Sequence, residues 1–260
     1  QRMTAAGVAD FLSKCSSSAD WRASHLLLDV PFDPRAREFV AGVQERLIAT
    51  APQVARSEPE AVALVLEALL LSGFSMVVAG SSAPASGGEH LISHYLDMRS
   101  ALRGTPHDLH GAQVGVATVY CLGLWERILA LEPDAIDVEE LVAAQPTDEQ
   151  VHAWLLEDWG PEIGAEVQRQ WEAKQMDAGT LRVLLSRVRA QLPRLRSELA
   201  QDLLPATVVA DVIRECGGPV TPEELRAPTE EYQRALTRAR YIRDRFTVLD
   251  LAQNLGLGHE

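Results

Sequence analysis

The sequence predicts an all-α fold, and three observations support this prediction. Apolar residues recur at three- and four-residue spacing through most long segments, which is the period of an amphipathic helix. No alternating strand pattern of useful length occurs between them. Aromatic residues make up 5% of the 260 residues and apolar residues 47%, so Ala, Leu and Val must form most of the core, as they do in packed helices.

Nine segments carry the helical period, and turn residues separate them. They are 36–50, 58–78, 113–131, 148–158, 161–174, 178–192, 194–203, 206–216 and 229–242. The segment 113–131 is nearly all apolar, which predicts a buried central helix. The run Gly217-Gly218-Pro219 ends one helix before the next begins. We expect these helices to form a single domain over residues 1–260.

Charge and composition limit the classes of function. The formal net charge is −13, which repels nucleic acid and anionic membranes, so neither is expected as a partner. No uninterrupted run of 18 apolar residues and no signal peptide are visible, so we expect a cytoplasmic protein without a membrane span. Cys15, Cys121 and Cys216 are far apart and odd in number, which predicts free buried thiols rather than disulfides.

The segment GSSAPASGGEHLISH, residues 80–94, runs from small residues into two histidines. On a helix, His90 and His94 lie one turn apart on the same face. His110 precedes the predicted buried helix, and Asp10 lies in GVADFLSK near the start of the chain. Two imidazoles and one carboxylate can hold a divalent metal with a position left for substrate. Spacing alone also fits solvated histidines, and the order is not HExxH, which disfavours a zincin.

No dinucleotide- or phosphate-binding motif of the GxGxxG or P-loop type occurs in the chain. No strand-turn-helix pattern that could carry such a motif is predicted either. If the protein uses a dinucleotide, the residues that hold its phosphates lie outside this chain.

Four blocks resemble the sn-glycerol-1-phosphate dehydrogenases, which are related to iron-containing alcohol dehydrogenases, glycerol dehydrogenases and dehydroquinate synthases. The blocks are GVADFLSKCSSSADWR (7–22), SGFSMVVAGSSAPASGGEHLISHYLDM (72–98), LHGAQVGVATVY (109–120) and, more weakly, ARYIRDRFTVLDLA (239–252). They occur in the family's order over nearly the whole chain. The resemblance implies the multi-helix, metal-binding C-terminal part of a dehydroquinate synthase-like dehydrogenase, without the N-terminal Rossmann-like domain that binds NAD(P).

The resemblance also implies roles for individual residues. It assigns the metal to Asp10, His90 and His110, and it makes His94 a proton-relay residue rather than a ligand. Zinc is the expected metal, because two histidines and one carboxylate suit it, and iron or nickel would also fit.

Substrate binding is implied for Lys14, one helical turn beyond Asp10, and for Ser82 and Ser86 in the small-residue loop. The family commonly has an arginine where this chain has Ala83. Arginine is well suited to bidentate contact with phosphate, so its absence leaves open whether the substrate is phosphorylated.

The implied reaction interconverts dihydroxyacetone phosphate and sn-glycerol 1-phosphate, or acts on a related polyol, with NAD(P), as part of phospholipid biosynthesis. The expected partner is thus a small polyol or polyol phosphate, and the resemblance makes a homo-oligomer plausible. Because the cofactor domain is absent, we expect this chain alone to be inactive.

Three other functions stay open at this point. A dehydroquinate-synthase-like lyase could use the same metal scaffold, but it would need a basic carboxylate-binding pocket. An HD-type phosphohydrolase would require the doublet His107-Asp108 to lie in a helix and to face His90. The third alternative is a non-enzymatic helical module that has lost its cofactor domain and retains only the helical bundle.

Overall fold

The computed structural model describes residues 1–258, and this part of the chain consists of helices and connecting segments without a β-strand. The predicted all-α class is therefore confirmed. Thirteen α-helices lie within residues 1–258: α1 Arg2–Leu12, α2 Lys14–Leu28, α3 Arg35–Ala49, α4 Ala51–Ala55, α5 Pro59–Ala79, α6 Gly88–Arg103, α7 His110–Ala130, α8 Val138–Ala143, α9 Asp148–Glu172, α10 Ala178–Leu199, α11 Ala206–Glu215, α12 Thr229–Arg238 and α13 Val248–Asn254.

Helix α7 lies between two groups of buried apolar side chains. Val116 and Ala117 belong to the larger group, which includes residues of α6 and α10. Leu122 belongs to the smaller group, which includes residues of α1, α3, α5 and α11. Because α7 packs directly on α1, α6 and α11, the predicted buried central helix is confirmed.

Two glycines allow α1 and α7 to approach closely. A Cβ atom on Gly111 would lie 2.1 Å from the carbonyl oxygen of Ala6, and one on Gly115 would lie 2.6 Å from Cβ of Ala9. Any larger residue at either position would therefore push the two helices apart. The close contact brings the last turn of α1, which carries Asp10, beside the first residue of α7.

The buried carboxylate of Asp20, in α2, connects three other helices. Its Oδ2 accepts a hydrogen bond from the Gly88 amide at 2.8 Å. Its Oδ1 accepts one from Trp125 Nε1 and one from the Val248 amide, each at 3.1 Å. Burial, and then the nearby Glu89 carboxylate, raise the pKa of Asp20 well above its usual value. The starts of α6 and α13 are thus fixed to α7 through one side chain.

The helix boundary predicted at Pro193 is wrong. We predicted separate helices at 178–192 and 194–203, but α10 continues through the proline. Leu192 and Leu195, on either side of it, are fully buried. Their packing in the core compensates for the backbone hydrogen bond that Pro193 cannot donate.

The break predicted between 148–158 and 161–174 is present as a kink within α9. Gly160 has a φ angle of 66°, which an L-residue with a side chain rarely adopts, and Pro161 follows it. Two helical segments therefore meet at an angle at Gly160.

Helix α5 is long and apolar enough to span a membrane by length and composition, with a mean hydropathy of 2.2 in its most apolar window. Its inner face, including Leu64 and Val65, is buried against α1 and α3. Its outer face exposes Leu70 and also carries Glu60 and Glu67. A single helix of this kind is also typical of a partly buried core helix, so no membrane span is indicated.

We predict that Asp20→Ala lowers the free energy of unfolding by at least about 3 kcal/mol, because three buried N–H donors each lose an acceptor at about 1–3 kcal/mol. Urea denaturation would measure this loss. Asp20→Asn, which keeps an acceptor of the same shape, should lose less. The control Asp134→Ala, at an exposed position, should stay within about 0.5 kcal/mol of the parent. Equal midpoints for Asp20→Ala and the control would show that this carboxylate does not hold the helices together.

Candidate metal centre

Three helices bring Asp10, His90 and His110 together. His90 Nε2 lies 3.3 Å and His110 Nε2 lies 3.9 Å from the same carboxylate oxygen, Oδ1 of Asp10. The three potential ligand atoms lie within 4.8 Å of one another. Two imidazole nitrogens and one carboxylate oxygen that converge in this way could hold a divalent metal ion.

The other ring nitrogen of each histidine has its own partner. His90 Nδ1 lies 3.0 Å from Oε1 of the fully buried Glu89, and His110 Nδ1 lies 2.9 Å from Ser93 Oγ. When Nδ1 carries the proton and donates to these oxygens, Nε2 keeps its lone pair for a metal ion. These contacts therefore orient both rings for binding through Nε2.

The charges around Asp10 favour its ionised form. Burial opposes ionisation, but the hydrogen bond with His90 and the positive charge of Lys14 hold the pKa of Asp10 well below its usual value. Burial also opposes the charged form of His90, whereas its hydrogen bonds with Asp10 and Glu89 raise its pKa. A proton and a metal ion would thus compete for His90 Nε2, since only the neutral ring can act as a ligand.

Lys14 is buried beneath the small-residue loop, with only 2% of its surface exposed. Its ammonium donates to the carbonyl oxygens of Asp10 at 3.1 Å and Ala85 at 3.2 Å, and to Ser13 Oγ at 3.3 Å. Lys14 therefore joins the loop to the helix that carries Asp10. Its three N–H groups are all directed at protein oxygens, and its contact with a substrate stays a prediction.

The glycine pair ahead of α6 faces buried carboxylates, not an open site. The Gly87 amide donates to Glu89 Oε1 at 2.7 Å, and the Gly88 amide donates to Asp20. A Cβ atom on Gly87 would lie 2.5 Å from Asp20 Oδ2, so glycine is required to accommodate that carboxylate.

Ser82 and Ser86 are both held by a residue that the sequence did not single out, Arg245. Its Nη2 donates to Ser82 Oγ at 2.8 Å, and its Nη1 donates to the carbonyl oxygen of Ser86. Arg245, Ser86 and Ala83 line a cavity of about 630 Å³. The only sequence signal for this arginine was its place in the weakest resembling block, 239–252.

His94 lies beside the candidate metal centre, with its ring centroid 5.3 Å from that of His110 and 6.1 Å from that of His90. Together with Asp97 and His110 it forms a second, overlapping group of potential ligands. Asp97, however, approaches His110 at Nδ1, at 3.6 Å, whereas Asp10 approaches it at Nε2. A neutral imidazole has one nitrogen with a free lone pair. Because Ser93 accepts at Nδ1 of His110, the group with Asp10, which faces Nε2, suits a metal ion better.

The doublet His107-Asp108 does not form an HD-type site. Both residues lie in the non-helical segment before α7. Asp108 is buried, pairs with Arg2, and accepts the backbone amides of Leu109 at 2.7 Å and Arg226 at 2.9 Å. Its carboxylate is thus used to anchor the chain, which argues against the phosphohydrolase alternative.

The fold and the centre define a class: an all-α chain in which two histidines and one carboxylate could hold a divalent metal ion. No protein-family model matches the chain. Curated relatives do match it, and the chain is a homologue of proteins named glycerol-1-phosphate dehydrogenase with NAD(P)+ as the stated cofactor. The resemblance found in the sequence blocks is thereby confirmed.

The relative from Bacillus licheniformis is 28% identical over 257 residues, which is 99% of this chain and 51% of that protein. The relative from Halalkalibacterium halodurans is 39% identical over 125 residues, 48% of this chain and 31% of that protein. The one from Natronomonas pharaonis is 41% identical over 119 residues, 45% of this chain and 32% of that protein. The chain spans about half the length of the Bacillus relative that it matches.

We predict that the chain binds one zinc ion, and that Asp10→Ala, His90→Ala and His110→Ala each weaken binding by at least about 100-fold, since removing even an outer partner costs 10- to 100-fold. Zinc titration with a competing chelator would measure this. His152→Ala, at an exposed histidine, is the control. Asp97→Ala should keep a full equivalent of zinc. Zinc retained by Asp10→Ala but lost from Asp97→Ala would instead place the ion between His94, Asp97 and His110.

Proposed function

We propose that the chain is the metal- and substrate-binding part of an NAD(P)-dependent dehydrogenase that interconverts dihydroxyacetone phosphate and sn-glycerol 1-phosphate. The observation that carries the proposal is the convergence of both histidine Nε2 atoms on Asp10 Oδ1 in a chain whose relatives bear that name. Residues 1–260 would act as one domain, in the cytoplasm, at a step that serves phospholipid synthesis.

The donor set supports zinc as the metal, held by Asp10, His90 and His110, because the two rings are already oriented for binding through Nε2. When bound, the ion would act as a Lewis acid toward the substrate oxygen at which negative charge develops. The nicotinamide cofactor, when bound by residues outside this chain, would supply or accept the hydride. This chain's own residues would hold and orient the substrate, and they would exchange protons with it.

His94 is the proposed proton acceptor. Burial, and then the neighbouring His110 and His90, lower the pKa of His94 to about 4. The ring is therefore neutral near pH 7 and can accept a proton from a substrate hydroxyl during oxidation. Because the side chain is partly exposed, it can pass that proton on to solvent.

The small-residue loop would form the other wall of the substrate site. Lys14 ties Ala85 to the helix of Asp10, so the loop and the candidate metal centre are held at a fixed separation. Ser82 and Ser86 lie on the part of this loop that faces Arg245. We propose that these residues position the end of the substrate that does not react.

A chimera tests the proposal directly. Replacing the matching half of the Bacillus licheniformis relative with this chain should give NAD(P)H-dependent reduction of dihydroxyacetone phosphate to sn-glycerol 1-phosphate, measured by cofactor absorbance and enantiomer-specific product analysis. The chain alone should show no turnover, because it has no dinucleotide-binding motif. His90→Ala in the chimera is the matched control and should abolish activity. A chimera that binds zinc and nucleotide but leaves dihydroxyacetone phosphate unchanged would contradict the proposal.

In the same chimera, His94→Gln should lower kcat by about 10²- to 10⁴-fold, the usual contribution of a general acid-base group, while zinc content stays at one equivalent. Because His94 is already neutral near pH 7, the loss should be uniform across neutral pH and should not shift the profile. His152→Gln serves as the control. Loss of zinc from His94→Gln, or an unchanged kcat, would show that His94 is not the proton acceptor.

A further inference from the structure

Arg245 carries a positive charge that no carboxylate of residues 1–258 balances in an ion pair. Its two hydrogen bonds go to neutral acceptors, Ser82 Oγ and the Ser86 carbonyl oxygen. The side chain is only partly exposed to solvent, and burial lowers its pKa. Removing an unpaired charge from water costs free energy, so such a charge needs an explanation.

The other buried arginines of the described chain show what an ordinary structural role looks like. Each one contacts a carboxylate: Arg22 with Asp202 at 2.5 Å, Arg99 with Glu231 at 2.9 Å, and Arg240 with Asp250 at 3.0 Å. Arg245 differs from all three in lacking such a partner. Of its five N–H donors, two are used by the loop and three are left over.

Arg245 also lines a cavity large enough for a small ligand. The cavity of about 630 Å³ is lined by Arg245 together with Ser81, Ala83 and Ser86 of the small-residue loop. Ala83 presents only a methyl group there, so the loop supplies hydroxyl and backbone groups but no cation of its own. Arg245 brings a guanidinium to this wall from a segment 163 residues away from Ser82.

Against the effect of burial, the Glu89, Asp20 and Asp244 carboxylates raise the pKa of Arg245, but none of them forms an ion pair with it within residues 1–258. Lys174 also lines it, but its ammonium is paired with Asp250 at 2.9 Å. Asp20 lines it with a carboxyl group whose raised pKa favours the neutral form. Asp244 is exposed, where water screens its charge. Among the described residues that line the cavity, Arg245 is therefore the cation whose hydrogen-bond partners are neutral.

We propose that Arg245 binds the phosphate group of the substrate in this cavity, with Ser81 and Ser86 beside it, and so provides the charge that Ala83 does not. A phosphate offers several oxygens to the planar guanidinium fork, which can bind two of them at once. This assignment rests on the proposed function of the candidate metal centre, because the reacting end of the same substrate would lie there.

The test measures binding to the zinc-loaded chain by calorimetry, without any turnover. Dihydroxyacetone phosphate should bind more tightly than dihydroxyacetone. Arg245→Gln should weaken the binding of dihydroxyacetone phosphate about 10- to 100-fold, as expected for a lost hydrogen bond to a charged group. The affinity for dihydroxyacetone should stay unchanged. Arg245→Lys, which keeps the charge but not the fork, should lose less. The matched control is Arg189→Gln, which removes the same charge from an exposed position on α10.

Two further measurements separate this inference from the proposed function. Inorganic phosphate should still bind to His90→Ala, which lacks the metal ligand, and should lose affinity when Arg245→Gln is added. Ala83→Arg in the Arg245→Gln background should restore phosphate affinity, because both positions line the same cavity. Both measurements use inorganic phosphate and require neither zinc nor turnover. Failure of the proposed function would therefore not change their outcome.

Three outcomes would overturn the assignment. An equal loss of phosphate affinity in Arg189→Gln and Arg245→Gln would indicate a general charge effect. Loss of zinc and of dihydroxyacetone binding in both Arg245→Gln and Arg245→Lys would indicate that the arginine only holds the loop. Binding of ADP-ribose, but not dihydroxyacetone phosphate, in an Arg245-dependent manner would assign the cavity to the diphosphate of a nucleotide.

Discussion

The hydrogen bonds of the buried Asp20 carboxylate are the constraint on which the rest of the structure depends. They fix the amide of Gly88, the indole of Trp125 and the amide of Val248 around one side chain. Since Gly88 begins α6, its position sets where Glu89 and His90 lie on the first turn. Burial and the nearby Glu89 raise the pKa of Asp20, whereas, against the effect of burial, the hydrogen bond with His90 lowers the pKa of Glu89. Glu89 therefore holds the negative charge beside His90 more readily than Asp20 does.

The candidate metal centre is assembled by contacts over long sequence distances, and small residues make these contacts possible. Gly111 and Gly115 let α1 lie against α7, so that Asp10 meets a histidine 100 residues later. Lys14 then neutralises part of the charge that Asp10 brings into the interior, and it binds the loop through Ala85. The same packing that buries α7 therefore also creates the ligand geometry.

Much of the fold could be predicted from sequence because helical periodicity is a local signal. The spacing of His90 and His94 placed them on one helix, and the apolar run after His110 predicted its burial. Local signals failed where tertiary packing determines the course of a helix or the burial of a side chain. Pro193 sits inside a continuous helix because its neighbours are buried, and the burial of Lys14 depends on a loop 71 residues away. Which nitrogen of His110 faces Asp10 is likewise set by Ser93, from another helix.

The distribution of charge determines where an acidic chain could bind the anionic substrate that we propose. A net charge of −13 opposes a phosphate ester at long range, so attraction must come from cations that lack an internal partner. Lys14 lies next to ionised Asp10, and Lys174 is paired with Asp250. Arg245, which is only partly exposed, donates its hydrogen bonds to neutral acceptors and forms no ion pair within residues 1–258. Different groups would thus recognise the two ends of the substrate. The reacting oxygen would bind at the centre around Asp10, and the phosphate would bind to Arg245, which Ser82 and Ser86 hold in position.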